Sequence, residues 1–528
     1  MTWLIIHGHF YQPPRENPWT GEVDVEATAA PFHDWNERIH AECYQPNTAV
    51  KVPGQTPGEE RIVNNYELMS FDFGPTLLTW LERQHPDTYD QIIAADAESV
   101  RRRGGHGNAI AQAYGHAILP LCNGHDQRTQ VRWGVADFRH RYKREPESLW
   151  LPETASNDDV LDLLIDEGLR FVILAPHQVK RVRSRTGILA CPDKSEKIQA
   201  EDEWQDVAGG KIDPSVPYSY FHRDKSGRSI AVFFYDPRLA QAIAFEQALS
   251  SSSSLVERFA RAAGKDGELI NVATDGESYG HHHKFGELCL AHALEIDAPA
   301  RGFRITNYGQ YLDEHSPVSE VEINAGDEGK GSSWSCVHGI SRWSSDCGCH
   351  TGGEAGWNQA WRTPLRKALD YLRDEAAVHF EATRGELFVD PWIARDDAIE
   401  LLLDQASSRE AFIGNHAPRP LAPAQQQRAL VYLEMQRNLL LMYASCGWFF
   451  NDIAGIEPVQ IMKYAARSIE LMAQLGLPSP RERFLEILSD AKSNQTEMGN
   501  GADVYRRLVE PSNPAFKENV DEPVRTFA

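Results

Sequence analysis

Two acidic residues stand where reactive groups would have to stand. Glu153 follows the run Leu149-Trp150-Leu151-Pro152, and Asp275 follows Leu269–Thr274, with Glu277 close behind it. A third polar site, His7-Gly8-His9, ends an apolar run that begins at Thr2. A short apolar run that stops at polar residues is the pattern of a buried parallel strand presenting side chains at its C-terminal end. Ends of different strands meet at one mouth, so the long stretch of chain between Glu153 and Asp275 is no obstacle. Two converging carboxylates are the minimum equipment for cleaving a glycosidic bond. One attacks or steadies the anomeric carbon, and the other protonates the leaving oxygen. Sugar rings also need flat apolar platforms. Trp3, Phe10, Tyr11, Trp150, Tyr279, Trp334, Trp343 and Trp357 are the candidates, although rings at strand ends commonly serve packing alone.

The elements that must position these groups follow from hydrophobic periodicity. Ser148–Leu151, Phe171–Leu174, Ile230–Tyr235 and Leu269–Thr274 read as strands. Helical patterns cover Pro75–Gln84, Tyr89–Arg103, Asp158–Glu167 with Asn157 as its cap, Leu239–Leu249 and Leu255–Ala263, with Ser250–Ser254 as a mobile turn. The alternation predicts an α/β fold with a parallel sheet. Residues 10–60 read as a long functional loop. From about residue 360 the pattern is helical, over Pro364–Ala382, Asp396–Leu403, Ala424–Tyr443, Pro458–Leu475 and Pro480–Ala491, with a polar tail after residue 510. In the third of these, Tyr432, Met435, Leu439 and Met442 fall on one face and Gln427, Glu434 and Asn438 on another, which predicts an amphipathic helix.

Composition narrows the classes. The chain has 528 residues, with 53 Lys and Arg against 76 Asp and Glu, a net charge of −23. Such a surface repels phosphate, so nucleic acid is not an expected partner. The basic runs Arg101-Arg102-Arg103 and Lys180, Arg181, Arg183, Arg185 read as solvated helix ends or loops. A content of 13 Trp, 17 Tyr and 21 Phe excludes global disorder. No stretch approaches the ~18 apolar residues of a membrane span. The first residues lack the features of a signal peptide, and the eight cysteines are scattered. A cytoplasmic protein with reduced thiols is therefore expected.

The motifs, taken in order, resemble glycoside hydrolase family 57. His7-Gly8-His9-Phe10-Tyr11-Gln12-Pro13 is similar to the first family motif, with Phe10 and Tyr11 inserted before Gln12. Gly115-His116-Ala117-Ile118-Leu119-Pro120-Leu121 resembles the second, Leu149-Trp150-Leu151-Pro152-Glu153-Thr154 the third, and Ala273-Thr274-Asp275-Gly276-Glu277-Ser278-Tyr279-Gly280 the fourth; Ser333-Trp334 is the candidate for the fifth. The resemblance implies an incomplete (β/α)7 barrel over residues 1–300, a Gly-, Trp- and Cys-rich substrate loop over 301–360, and a helical C-terminal domain over 361–528 that completes the cleft. It implies Glu153 as nucleophile and Asp275 as general acid/base, in a retaining double displacement with carboxylates roughly 5–5.5 Å apart. His9 and His116 would hydrogen-bond the sugar at the point of cleavage. His7, Gln12, Trp150, Glu277, His282 and Trp334 complete the expected substrate set. The implied enzyme is an amylase, 4-α-glucanotransferase or branching enzyme acting on an α-glucan, with no cofactor.

Two features stay open at the level of sequence. Cys336, His338, Cys347, Cys349 and His350 crowd into one segment. Their spacing departs from standard zinc patterns, so the segment is read as a Gly-rich substrate loop in which His338, Arg342, Trp343 and Trp357 contact the sugar, with no metal. A structural zinc there is the alternative. The rival functions are a metal-dependent carbohydrate deacetylase or mannosidase-like hydrolase, with His7, His9 and Asp275 as ligands, and a non-catalytic glucan-binding protein. Oligomeric state is not readable.

Overall fold

The first strand organises the sheet beside the candidate chemistry. In the computed structural model, which describes residues 2–54, 58–184, 203–264, 268–403 and 408–513, it runs from Thr2 to Phe10, three residues past His7. From Trp3 onward every residue is buried, as expected of a parallel strand covered on both faces. Leu269–Asp275 pairs with it in parallel along one side, from Trp3 to His9. Two shorter strands share its other side in parallel, Phe303–Ile305 at the start and Ser70–Phe73 at the end.

Further parallel pairings continue from there. Phe71 bridges to Ala109, Ala111–Gln112 pairs with Leu149–Trp150, and Ser148 bridges to Phe171. Phe171–Leu174 pairs with Ser229–Phe234. The Asn271 amide then donates to the Phe234 carbonyl at 2.7 Å, which brings the chain back to the Leu269–Asp275 strand. Helices stand between these strands where the sequence predicts them. Asn157 caps Asp158–Asp166 by accepting from the Val160 N–H, and Asp236 caps Pro237–Phe245.

Several expectations are corrected. The region 10–60 is not structureless: it holds the helical turns Trp35–Ile39 and Gln45–Thr48 and the strand Val50–Pro53. The serine run is not a mobile turn, because Ser251 caps a helix that starts at Ser252. Tyr218–Phe221, Val179–Ser184 and Ser319–Ile323 add antiparallel pairing to a sheet expected to be parallel. Of the basic runs, Arg103 is buried and donates to the Ile305 carbonyl, while the other described residues pair with acids. Arg101 and Arg102 pair with Glu98, Lys180 and Arg181 with Glu322, and Arg183 with Glu320. Arg185, Cys191 and most of the polar tail lie outside the described residues.

The chain divides into two compact units. The first comprises Met1–Gln12, Glu26–Gln112 and Arg141–Ser335, and the second Pro13–Val25, Ala113–His140 and Cys336–Ala528. The second is helical, with Arg362–Glu381, Pro423–Leu441, Ile456–Gln474 and Arg481–Leu488 as its main elements. Pro423–Leu441 is not amphipathic as predicted. From Ala429 it is buried on nearly all sides, including Glu434 and Asn438. The Asn438 amide donates to Glu434 Oε1 at 3.0 Å, and Arg437 pairs with the same carboxylate, so the buried Glu434 has its acceptors engaged. Among the described residues no helix is long and apolar enough to cross a membrane.

Gly276 shows how tightly the end of the sheet is built. A Cβ there would lie 2.3 Å from the Phe10 ring, which is fully buried against Tyr44, Tyr66 and Phe73. Gly276→Ala should therefore cost about 1–3 kcal/mol through overpacking, measured by urea unfolding, and should disturb Asp275 and Glu277 on either side.

Candidate active site

Register places three polar residues side by side. His9 pairs with Asp275 on one neighbouring strand and with Asp72 on the other. His7 and His9 project to the same side because they are two residues apart on a strand. The buried Asp72 carboxylate takes both: His7 Nε2 lies 3.0 Å from Oδ1 and His9 Nδ1 2.9 Å from Oδ2. The second ring nitrogen of His7 meets Ser70 Oγ at 3.0 Å. Both His7 nitrogens are thus engaged, and among the described residues His7, His9 and Asp275 are not gathered as a metal-ligand set.

Charge follows from this arrangement. Burial alone depresses an imidazole pKa. For His9 the Asp72 carboxylate, aided by Asp275 and Glu277, outweighs burial and raises it to about 9, so His9 is a cation at neutral pH. For His7 burial wins over Asp72 and the pKa is lowered. Asp275 is open to solvent on its surface, as a group that meets a ligand must be. Protein crowded around its carboxyl nonetheless strips much of its hydration and raises its pKa, with the His9 cation opposing and the Asp72 anion adding. Glu277 is buried, accepts from the Tyr44 hydroxyl at 2.7 Å and the Tyr11 N–H at 3.1 Å, and is raised to about 7 by burial and by Asp275.

Glu153 is presented by strained backbone. It has φ of 58° and the β-branched Thr154 has φ of 50°, both in the left-handed region. Such strain persists only where the surroundings over-determine it, and it concentrates at functional sites. Here the fully buried Gln178 supplies the constraint. Its side-chain oxygen accepts from Thr154 Oγ1 and the Ala175 N–H, and its nitrogen donates to the Thr154 and Ser332 carbonyls. Ser156 exchanges backbone hydrogen bonds with Ser332, and the Trp334 N–H donates to the Glu153 carbonyl at 3.0 Å. The Glu153 carboxylate then receives two donors on one oxygen. Trp334 Nε1 lies 2.9 Å and Ser335 Oγ 2.6 Å from Oε2.

Rings join the two carboxylates' surroundings. Trp150 stacks on His7 and on His9, each with centroids 4.9 Å apart, and meets Trp334 edge-on at 5.2 Å. Trp334 also meets His9 at 6.3 Å and Tyr235 at 6.2 Å. Asp275, beside His9, and Glu153, bonded to Trp334, therefore border one cluster of rings. A concavity of about 390 Å³ lined by Asp213, Asp236, Arg238 and Glu268 lies at the start of the Leu269–Asp275 strand, away from these groups.

The structure gathers His7, His9, Trp150, Glu153, Asp275, Glu277 and Trp334 in the first unit. Gln12 is half-buried just past the first strand, and His282 is exposed next to His281. Trp3 meets Tyr311 and His315 edge-on at the opposite end of its strand, and Phe10 and Tyr279 have no exposed surface, so these three serve packing. The remaining expected residues belong to the second unit. His116 is buried, in left-handed backbone, with Nδ1 2.7 Å from Ser445 Oγ. Trp343 has no solvent-exposed surface to offer a sugar, and its carbonyl accepts from Arg366. Arg342 covers the Phe449 ring at 3.7 Å. Trp357 is half-buried, and His338 lies beside three cysteines. Sequence reasoning missed Asp72, Tyr44, Gln178 and Ser335. Only the alternation Ser70-Phe71-Asp72-Phe73 carried a signal, an acid at another strand end.

Asp72→Asn removes the carboxylate that keeps His9 charged. The His9 pKa should fall from about 9 toward the ordinary 6.5, read by imidazole NMR titration. An unchanged titration would show that Asp72 does not hold the charge.

The model of glycosyl hydrolase family 57 matches residues 3–324, and that of a domain of unknown function, DUF3536, matches residues 357–520. No curated protein sequence matches the chain. Among solved structures, the chain is similar to an exo-type maltose-forming amylase from Pyrococcus sp. ST04, at 15% identity and a TM-score of 0.61, over 97% of this chain and 88% of that one. It is also similar to a family 57 branching enzyme from Pyrococcus horikoshii, at 15% identity and a TM-score of 0.53, over 99% and 98% of the two chains. A 4-α-glucanotransferase from Thermococcus litoralis matches at 14% identity and a TM-score of 0.50, over 90% of this chain and 60% of that one. These likenesses are of fold. The family model spans more than half of the sequence and contains the strand ends that carry Glu153 and Asp275, and the chain therefore belongs to glycosyl hydrolase family 57, as an enzyme of the glycoside hydrolase or glucanotransferase class.

Proposed function

We propose that the protein cleaves α-glucan oligo- or polysaccharides with retention, with Glu153 as nucleophile and Asp275 as acid/base. The observation that carries this reading is the Glu153 turn, strained in two successive non-glycine residues and clamped so that one carboxylate oxygen takes two hydrogen bonds. That holds Oε2 in place and orients the carboxylate toward the anomeric carbon. Asp275, with its raised pKa, holds a proton for the leaving oxygen and later takes one from water or an acceptor hydroxyl. His9, cationic beside it, orients a sugar hydroxyl and limits the shift of Asp275. Trp150 and Trp334 supply ring faces and edges around the sugar. Parallel pairing carried from strand to strand supports an incomplete (β/α)7 barrel as the scaffold. The similar structures include a maltose-forming amylase and a 4-α-glucanotransferase, which favours that substrate class. None of the seven described cysteines is in a disulfide, which fits a reducing, cytoplasmic setting.

The decisive experiment is turnover of α-linked oligosaccharides followed by NMR of the first-formed anomer. Retention is expected, and inversion would exclude a covalent intermediate on Glu153. Asp275→Asn should lower kcat by about 10²–10⁴-fold, and Glu153→Gln at least as much. Trp334→Phe removes one charge-assisted hydrogen bond of about 1.5–3 kcal/mol. A loss on the order of 10- to 100-fold in kcat with a smaller change in KM is expected for an orienting role.

A further inference from the structure

Cys336, His338, Cys347 and Cys349 close on one another in the second unit. One ligand atom from each lies within 4.8 Å of all the others. Cys336 Sγ is 3.9 Å from Cys347 Sγ and 3.8 Å from Cys349 Sγ, and Cys349 Sγ is 3.6 Å from His338 Nδ1. A tetrahedron with Zn–S of about 2.3 Å and Zn–N of about 2.0–2.1 Å requires S···S edges of about 3.8 Å and S···N edges of about 3.6 Å. The observed edges match. They are nearly twice a disulfide bond of about 2.05 Å. We propose that these four residues form a structural zinc site of the Cys3His type, in place of the substrate loop read from sequence.

The surroundings are built for it. Gly339 and Gly348, with φ of 76° and 81°, let each ligand pair sit in a tight turn. Cys347-Gly348-Cys349 thereby points two thiols inward, while the adjacent His350 turns away and bonds to Gly352. Backbone N–H groups of His338 and Arg342 point at Cys336 Sγ, the outer-shell support that metal thiolates use. The charge balances as well. Three thiolates and one dication leave a single negative charge. The buried Arg362 guanidinium donates to the Cys349 carbonyl at 2.9 Å and forms no ion pair among the described residues. With four protein ligands no position stays open for substrate, so the ion would fasten a segment whose only regular element is the turn Ser341–Trp343. Binding releases the thiol protons to solvent and involves no redox change.

The test uses the full-length protein purified without chelator. Elemental analysis should give one zinc per chain, released by a mercurial thiol reagent. Cobalt(II) exchange should produce the thiolate-to-metal and ligand-field bands of a tetrahedral site. Cys336→Ser and Cys349→Ser should lose the metal, and His338→Ala should weaken its retention. His350→Ala should keep it, which separates a folding defect from loss of a ligand. Substoichiometric zinc in the wild-type chain without a tetrahedral cobalt spectrum would overturn the proposal. So would iron in place of zinc, a disulfide among these cysteines, or zinc retained in both cysteine variants.

Discussion

His9 lies between two carboxylates because three parallel strands share one register. Asp72 and Asp275 are its partners on either side, so a single pairing pattern decides which charges meet. A slip of one residue would turn His7 and His9 to the other side and leave Asp72 buried without a donor. A buried carboxylate is tolerated only when its acceptors are filled, and the two imidazoles fill them. The same contact makes one histidine a cation and leaves its neighbour neutral. The ring stack that links His9 to Trp150, and Trp150 to Trp334, depends on that geometry.

Glu153 illustrates a different economy. Its carboxylate is aimed by backbone that neither it nor Thr154 would adopt alone. The strain is borne by Gln178, whose carboxamide ties the turn to Ser332 and to the strand end at Ala175. A rigid element far along the chain thus sets the direction of a side chain that acts elsewhere. Such clamps cost stability locally and persist where orientation matters.

The second unit solves its own problem of buried polarity. Glu434 accepts from Arg437 and Asn438 inside a helix that the pattern of side chains had placed half in solvent. Arg362 ties the cysteine-bearing segment to the carbonyls of Phe449 and Phe450. The N-terminal stretch Pro13–Val25 joins the same unit through Trp19, whose indole donates to Glu470.

The sequence by itself determined the features that are local. Apolar runs ending at His9, Glu153 and Asp275, the helix cap at Asn157, and the helical character after residue 360 all follow from neighbours in the chain. The order of the motifs was enough to identify the family. Tertiary structure alone decided what required distant partners. Asp72 is an ordinary acid until register sets it between two histidines. Gln178 carries no motif, because its role lies in reaching Thr154 and Ser332 at once. Glu434 looked exposed because helical periodicity reports one helix, whereas burial on every side is imposed by other helices. Cys336, His338, Cys347 and Cys349 matched no standard ligand spacing, since their convergence is made by two glycine turns and a fold-level contact with Arg362. Local pattern specifies which groups a strand or helix can offer; only long-range packing selects which of them meet.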